Sequence, residues 1–236
     1  MTRCLTTWTL GISFALAAAG TAAAAEKAPK AEMGGLPLVF ADDFEKGADG
    51  WQPTDAKAWK IAETDRGKVY NQFTNSKYRP PHRSPYNISL AKDVLVGDFI
   101  LTVKVQSTNT KAGAHRDMCL FWGYQDPAHF YYVHLGKRPD PHSSQVMIVN
   151  GAPRVMITKN KTPGVPWDDG WHEVKIVRKT ADGTIEVYFD DMTKPMMVAQ
   201  DKTFAWGQVG LGSFDDNGNW DDFKLYGVKV EKPSKE

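Results

Sequence analysis

Cysteine is scarce in this chain, which contains only two in 236 residues. Cys4 lies in an N-terminal segment that we expect to be removed, so Cys119 would be left without a partner for an internal disulfide. The folded part must therefore be held together by a hydrophobic core, and roughly 200 residues are enough to bury one. Cys119 has apolar neighbours on a predicted strand, and we interpret it as a small residue of that core.

An excess of charge of either sign is also missing. The chain has 29 Lys and Arg against 28 Asp and Glu, which gives a formal net charge of +1. A nucleic-acid interface needs a basic field, and a helix on a membrane surface needs a basic amphipathic face. We therefore expect no nucleic-acid partner and no insertion into a membrane, and we expect the protein to be a monomer.

A long apolar run is missing as well. The run from Leu10 to Ala19 is too short for a membrane span, and it follows Arg3 and ends in small residues before Glu26. A short apolar stretch between a basic residue and small residues is typical of a secretory signal peptide. We predict a signal peptide at 1–25, a linker at 26–36, and a secreted or periplasmic protein.

Helical periodicity is almost absent after residue 37, whereas alternation with a period of two residues recurs. In the segment 98–106, Phe99, Leu101, Val103 and Val105 face one side and the residues between them face the other. We predict strands at 39–44, 67–73, 98–106, 118–124, 129–135, 144–149, 155–158, 171–178, 184–190, 207–212 and 220–230.

This many strands with short connections predicts an antiparallel all-β protein. Asp182-Gly183 between two of them is a hairpin signal. Their edges must be closed or packed, and a two-sheet jelly-roll sandwich does this. No repeat of fixed period occurs, which argues against a propeller. We predict one jelly-roll domain at 37–231, followed by a tail at 232–236.

Two neighbouring predicted strands contain most of the unusual side chains. One follows His115-Arg116-Asp117, and the other is 129–135. Because side chains alternate along a strand, Phe130, Tyr132 and His134 share a face. Aromatic rings and imidazoles on one face provide both stacking surface and titratable groups, as a sugar-binding or sugar-cleaving groove requires.

Three parts of the chain resemble a known superfamily. They are Phe40 to Glu45 with Trp51 and Trp59, the pair 171–178 and 183–190, and the pair 207–214 and 220–225. They are similar to the opening strand, the late hairpin and the closing strands of laminin-G-like members of the concanavalin A-like lectin and glucanase superfamily. The resemblance implies a concanavalin A-like jelly roll with a glycan partner.

The superfamily includes lectins, receptor domains, family 16 glycoside hydrolases, polysaccharide lyases and 3-keto-disaccharide hydrolases. The resemblance therefore does not choose between glycan binding and glycan cleavage. Family 16 hydrolases use a Glu-x-Asp-x-x-Glu strand motif, which this sequence lacks, so we do not expect their two-carboxylate mechanism.

Four residues are candidates for catalysis: His115, Asp117, Tyr132 and His134. His115 and Asp117 are two positions apart, so on a strand the carboxylate could orient the imidazole. Tyr132 and His134 share a face, and they resemble the residue types with which jelly-roll lyases abstract a proton. The structural alternatives are a solvated strand entry at 115–117 and an aromatic strand with a hydrogen-bonded histidine.

Seven further residues are candidates for substrate binding. They are His82, Arg83, Arg116, Trp122, Tyr124, His142 and Gln145. Three prolines stiffen the loop 78–86, so a ligand-facing His82 or Arg83 would lose little entropy on binding. The same loop could instead cover an edge of the core. Arg116 should point away from Asp117 unless the backbone bulges there.

Metal ions enter the interpretation in two ways. The resemblance implies a structural Ca²⁺ at Asp43 and Asp222, on the opening and closing strands, although two carboxylates form an incomplete shell. A catalytic divalent metal is the second alternative. Its ligands would be His115, Asp117, His134 and His142.

Our leading hypothesis is an exported carbohydrate-active enzyme that cleaves a uronate-containing or 3-keto glycan by elimination. His134 or His115 would be the base, Tyr132 the acid or a stacking platform, and Arg83 or Arg116 would stabilise charge. The alternative is a non-catalytic laminin-G-like module that binds sugar or protein. A purely structural envelope protein, with no convergence of polar residues, is a third.

Overall fold

The computed structural model describes Met1 and residues 31–233. Sixteen strands and two short 3₁₀ turns, Ala56–Ala58 and Gly113–His115, form within this part of the chain. The strands are β1 (Glu32–Met33), β2 (Leu36–Asp42), β3 (Trp51–Pro53), β4 (Trp59–Thr64), β5 (Gly67–Gln72), β6 (Asn87–Ala91), β7 (Val96–Ser107), β8 (Cys119–Asp126), β9 (His129–His134), β10 (Gln145–Asn150), β11 (Val155–Met156), β12 (His172–Arg178), β13 (Thr184–Phe189), β14 (Met197–Gln200), β15 (Gln208–Ser213) and β16 (Gly218–Lys229).

The strands form two antiparallel sheets. The nine-stranded sheet has the order β1-β2-β16-β7-β12-β13-β14, with β5 paired to β16 and β4 paired to β5. The seven-stranded sheet has the order β11-β10-β9-β8-β15-β6-β3. Neighbours in a sheet are often far apart in sequence, as in a jelly roll. The prediction of an all-β, two-sheet jelly-roll sandwich is confirmed.

The main hydrophobic core lies between the sheets. In β7, Phe99, Leu101, Val103 and Val105 are all buried, as their alternation predicts. Each such side chain contributes roughly 1.5–3 kcal/mol when it leaves water. Cys119 is free and buried, so burial rather than a disulfide stabilises the fold.

A second apolar cluster covers the opposite face of the seven-stranded sheet, and we call it the outer-face cluster. It consists of Ile88, Leu90, Cys119, Phe121, Tyr124, Phe130, Tyr132, Met147 and Val149. Tyr78, from the proline-stiffened loop, packs against it. The residues that alternate with this cluster in β8 and β9 point to the opposite face and belong to the inter-sheet core. They are Leu120, Trp122, Tyr131 and Val133. Cys119 is thus a buried apolar residue, but of the outer face.

Element boundaries follow the predicted ones closely, with a few differences. The hairpin at Asp182-Gly183 joins the antiparallel pair β12 and β13, with Gly183 at φ +80°. Part of the segment predicted as a linker forms β1, in which Met33 pairs with Leu36. The sequence analysis did not predict β3, β4, β6 and β14. In β6, Asn87 and Ser89 are buried polar residues, so that strand shows no apolar alternation.

Between residues 31 and 233 there is no helix both long and apolar enough to cross a bilayer. The predicted signal peptide, apart from Met1, and residues 26–30 of the predicted linker fall outside the described residues. Most of the predicted tail at 232–236 does so as well.

Candidate functional site

A cavity of about 420 Å³ lies at one end of the outer-face cluster, where β8 begins and β9 ends. It is lined by Arg83, Ala114, His115, Asp117, His134, Arg138, Pro139, Asp140, His142, Ser143, Arg154, Phe214 and Asp215. Five separate parts of the chain thus supply charged or titratable groups to one hollow. The sequence-predicted residues Arg83, His115, Asp117, His134 and His142 are among them.

Backbone hydrogen bonds tie two of these parts together. The segment after β9 returns along the 3₁₀ turn that contains His115. The Lys137 amide donates to the Arg116 carbonyl at 2.9 Å, and the Arg138 amide donates to the Ala114 carbonyl at 3.2 Å. This places Arg138 and His115 beside each other on the rim, where both are exposed.

His134 forms part of the cavity floor and is 6 % exposed. Its Nδ1 lies 2.7 Å from the His142 carbonyl oxygen, and since a carbonyl only accepts, Nδ1 carries the proton and donates it. Its Nε2 lies 3.5 Å from Oδ2 of Asp117. Both ring nitrogens therefore have protein groups next to them.

Asp117 is held in place through its own backbone and its carboxylate. Its Oδ1 accepts the Phe214 amide at 2.8 Å, and its amide donates to Oδ2 of Asp216 at 3.1 Å. Burial raises the pKa of Asp215 above its usual range, and the nearby charge of Asp117 raises it further. Burial likewise raises the pKa of Asp216. Three carboxyl groups therefore meet at this end of the sheet.

Asp117, Cys119 and His134 form a buried triad on the outer face. One donor atom from each lies within 4.8 Å of the other two. Burial raises the pKa of the Cys119 thiol well above its usual range, and Asp117 adds to the effect. Sulfur, nitrogen and oxygen donors on one face give the protein a candidate site for a metal ion.

Phe214 organises the cations of the cavity. The Arg154 guanidinium lies 4.2 Å from its ring centroid, and that of Arg83 lies 6.0 Å away. Arg154 Nε and Nη1 are buried and make no hydrogen bond to the protein within the described residues. Arg154 therefore presents a largely desolvated cation with unused donors at the cavity wall.

A second hollow of about 330 Å³ also has Asp215 in its lining. The other residues that line it are Asn75, Ser76, Arg79 and Tyr86. Tyr86 packs edge-on against Phe214, with ring centroids 5.0 Å apart. The two hollows therefore meet at Asp215, and each has arginine in its lining.

Three predicted aromatic residues lie beneath the surface. Trp122 is 1 % exposed in the inter-sheet core, where it stacks on Tyr131. Tyr124 stacks on Phe130 within the outer-face cluster. Tyr132 is fully buried there, and burial raises its pKa well above the usual range. A ligand in the cavity cannot stack on Trp122 or Tyr124, and Tyr132 lies where solvent does not reach it.

The other predicted binding residues are also outside the cavity lining. Arg116 turns away from Asp117, as alternation suggested, and its Nη2 donates to Oδ1 of Asp169 at 2.7 Å. Gln145 is 9 % exposed, and its Nε2 donates to the Asp140 carbonyl at 3.0 Å. His82 is half-buried in its loop. None of these three residues lines the cavity.

The two residues at the expected Ca²⁺ position both contact other protein groups. Oδ1 of Asp222 pairs with Lys224 Nζ at 2.5 Å, and Asp43 Oδ1 accepts the Glu45 amide at 3.2 Å. Among the residues that the structure describes, no third His, Cys or carboxylate joins them to make a group of three donors. Ca²⁺ takes six to eight oxygen ligands, so a calcium shell here would need further oxygen donors, and the structural Ca²⁺ at Asp43 and Asp222 stays a prediction.

Sequence reasoning missed four residues of the cavity. Arg138, Arg154, Phe214 and Asp215 lie in turns or at strand ends, where charged residues are common and carry no periodic signal. Asp215 was visible only as one of several acidic pairs typical of turns. Their proximity is a product of sheet topology, since β15 pairs with β8.

No protein-family model matches the sequence, and no curated protein matches it either. Solved structures do match. The carbohydrate-binding module CBM66 from Bacillus subtilis is 15 % identical with a TM-score of 0.55, over 75 % of this chain and 95 % of that one. Domain 4 of AbnA, a GH43 extracellular arabinanase from Geobacillus stearothermophilus, solved with arabinotriose, is 11 % identical with a TM-score of 0.53, over 82 % and 94 %.

The exoplasmic/lumenal domain of VIP36, in a form with Ca²⁺ and Man3GlcNAc, is 11 % identical with a TM-score of 0.50. The match covers 83 % of this chain and 93 % of that domain. At such identities the similarity concerns the fold alone. The chain has the concanavalin A-like jelly-roll fold, as its resemblance implied.

Proposed function

We propose that this protein binds an acidic glycan in the cavity and cleaves it by elimination. One observation carries the proposal: Arg83, Arg138 and Arg154 converge on the same hollow as the exposed imidazole of His115. Guanidinium groups recognise carboxylates in a bidentate manner and stabilise the negative charge that develops when a neighbouring proton is removed. A uronate supplies such a carboxylate, and a 3-keto sugar supplies an equivalent carbonyl.

His115 is the base that the geometry favours. It stands on the rim, exposed and within the cavity lining, whereas His134 has a protein group beside each ring nitrogen. His115 would take the proton from the carbon next to the carboxylate or ketone. The electron pair left on carbon then forms the double bond as the glycosidic oxygen departs. The departing oxygen takes up a proton, which the same imidazole can return.

Two hollows that share Asp215 suit an oligosaccharide. They give room for more than one sugar unit, with Arg79 in one and Arg83 in the other. Phe214 and Tyr86 offer apolar surface between them. The similar structures are a carbohydrate-binding module, an arabinanase domain and a glycan-bound domain, which supports a carbohydrate as the partner here.

The test is incubation of the purified protein with a panel of uronate-containing polysaccharides and 3-keto disaccharides. Unsaturated products should accumulate on at least one substrate. His115→Gln should slow their formation by about 100-fold or more, the usual range for losing a general base. His129→Gln is the matched control, because His129 lies at the far end of β9 and bonds Asp126 instead. Full turnover by H115Q would contradict the proposal.

A non-catalytic glycan-binding module is the second candidate function. It is favoured by the similarity to CBM66, which is a carbohydrate-binding module. Under this alternative the same panel yields no product, while calorimetry detects binding that Arg83→Gln and Arg138→Gln weaken. Absence of both product and binding would reject both functions.

Export also belongs to this proposal. It is supported by the apolar run that follows Arg3 and by the small residues before Glu26. Cell fractionation and N-terminal sequencing of the protein produced from the whole chain test it. The mature protein should begin at or near Glu26 outside the cytoplasm, and an intact cytoplasmic protein would contradict it.

A further inference from the structure

We propose that Asp117, Cys119 and His134 form a binding site for a divalent transition-metal ion, with Zn²⁺ as the expected ion, at the floor of the cavity. The three side chains are buried, and one donor atom from each lies within 4.8 Å of the other two. Asp117 and His134 also line the cavity. The site stands on these residues alone and does not depend on a glycan being the ligand.

Strand geometry brings the three donors together. Cys119 is the first residue of β8, and Asp117 lies two residues before it, with its Oδ2 3.5 Å from His134 Nε2. Cys119 is paired in register with His134 across the two strands. Directly opposed residues in antiparallel strands have Cβ atoms about 5 Å apart. The strand register therefore brings Cys119 to His134, and the segment that leads into β8 brings the Asp117 carboxylate to both.

The distances agree with a shared ion better than with a direct ion pair. A charged hydrogen bond between His and Asp is normally about 2.7–2.9 Å long. The separation of His134 Nε2 and Asp117 Oδ2 is 3.5 Å. Bonds of about 2.0–2.2 Å in a tetrahedron place two such ligands roughly 3.3–3.5 Å apart. The two atoms are thus spaced as ligands of one metal.

The surroundings of the triad are those that metal ligands require. A metal-binding histidine usually donates its other ring N–H to a carbonyl or carboxylate. His134 donates Nδ1–H to the His142 carbonyl, which leaves Nε2 for the ion. The Asp117 carboxylate is similarly fixed, because its Oδ1 accepts the Phe214 amide and leaves Oδ2 toward His134.

The donor set selects the metal. A thiolate, an imidazole and a carboxylate suit Zn²⁺, whereas Ca²⁺ and Mg²⁺ prefer oxygen ligands only. A thiolate and a carboxylate also balance the two charges of the ion. Three protein ligands leave one position open, which is typical of catalytic rather than structural zinc. Two of the three ligands, Asp117 and His134, line the cavity together with Asp215.

A cysteine nucleophile activated by His134 would use the same three residues differently. Such a relay needs one ring nitrogen beside the thiol and the other on the carboxylate. In this protein Nδ1 is occupied by a backbone carbonyl, so Asp117 and Cys119 would both have to use Nε2. Cys119 is also fully buried and does not line the cavity. Convergence on a metal explains the arrangement, and a nucleophilic relay does not.

The experiment is a titration of the chelator-treated protein with Co²⁺, followed by displacement with Zn²⁺. We expect one Co²⁺ per chain, visible d–d bands, and a near-ultraviolet thiolate-to-cobalt charge-transfer band that Zn²⁺ removes. Protein refolded in Zn²⁺ should retain one zinc per chain after gel filtration. Wild-type protein that gives no cobalt spectrum and retains no zinc would overturn the proposal.

Variants locate the site. Cys119→Ser should abolish the charge-transfer band, and Asp117→Asn or His134→Gln should weaken binding by more than about 100-fold. Asp222→Asn and His172→Gln, which alter a half-buried carboxylate and a buried histidine elsewhere, should leave binding unchanged. Circular dichroism of each variant separates loss of ligands from loss of folding. Equal binding by wild type, C119S and H134Q would also overturn the proposal. None of these measurements requires glycan turnover. Metal binding and glycan cleavage are therefore tested separately, and either can fail without the other.

Discussion

The imidazole of His134 lies parallel to the ring of Phe214, with centroids 5.7 Å apart and an interplanar angle of 10°. The amide of Phe214 also donates to Asp117, which faces the same imidazole. Phe214 thereby positions two groups of the cavity floor, one through its ring and one through its backbone. The same ring also makes a cation–π contact with the guanidinium of Arg154.

Replacing the ring of Phe214 should affect ligand binding more than folding. Phe214→Leu keeps apolar volume and the backbone amide, so we expect a loss of less than about 1.5 kcal/mol in the free energy of unfolding. Loss of the contact with Arg154 should lower the affinity for an acidic glycan roughly three- to thirty-fold, as expected for a cation–π contact. Phe130→Leu is the matched control, and equal affinity losses in both variants would contradict this role.

Removing the hydroxyl group of Tyr131 should lower the free energy of unfolding, whereas removing that of Tyr132 should not. The Tyr132 hydroxyl is buried without a hydrogen-bond partner in the described part of the chain, so Tyr132→Phe should leave the free energy of unfolding unchanged or raise it by up to about 2 kcal/mol. The Tyr131 hydroxyl donates to Asp201 and accepts the Phe204 amide. Tyr131→Phe should therefore lower the free energy of unfolding by about 1–3 kcal/mol.

Urea denaturation of the two variants measures this contrast. Turnover is the second readout, because the sequence-based hypothesis made Tyr132 an acid or a stacking platform. A Tyr132→Phe protein that folds but loses glycan cleavage would restore that hypothesis.

Replacing Arg116 should lower the stability of the protein, whereas replacing Arg83 should weaken ligand binding. Arg116 is 4 % exposed and donates to Ser107 and Asp169, so Arg116→Ala should lower the free energy of unfolding by roughly 2–3 kcal/mol. Arg83 is exposed in the cavity, so Arg83→Ala should change that free energy by no more than about 0.5 kcal/mol. Calorimetry with an acidic oligosaccharide should show weaker binding only for R83A. The reverse pattern would exclude Arg83 from the site.

Asp201 should contribute to stability in a pH-dependent way. Burial alone raises its pKa, but hydrogen bonds from Tyr131 and Thr203 outweigh this effect, and the net pKa is lowered. Because the pKa is lower in the folded than in the unfolded chain, the contribution is complete above the ordinary aspartate pKa of about 3.9. It is lost as the pH falls through the lowered pKa of the folded state.

Stability measured by urea denaturation between neutral and acidic pH tests this prediction. Asp201→Asn should flatten the acidic part of the stability curve, whereas the exposed control Asp65→Asn should not. Parallel curves for D201N and the wild type would show that Asp201 does not contribute in this way.

Much of the fold could be predicted from the sequence because strands reveal themselves by local alternation. The pattern of Phe99, Leu101, Val103 and Val105 is a property of one segment, and it placed β7 and the core. The same alternation correctly separated Tyr132 and His134 from Tyr131. It could not reveal β6, whose buried Asn87 and Ser89 bond other buried polar groups instead of packing as apolar side chains.

The sequence by itself determined an all-β jelly roll. It also identified five of the residues that line the cavity, namely Arg83, His115, Asp117, His134 and His142. Only the tertiary structure decided which of these residues meet. Cys119 became a partner of His134 because β8 and β9 pair in that register, and Asp215 reached Asp117 because β15 lies beside β8. Alternation is encoded between near neighbours in the chain. Convergence depends on strand order, and strand order is decided by burial summed over the whole domain.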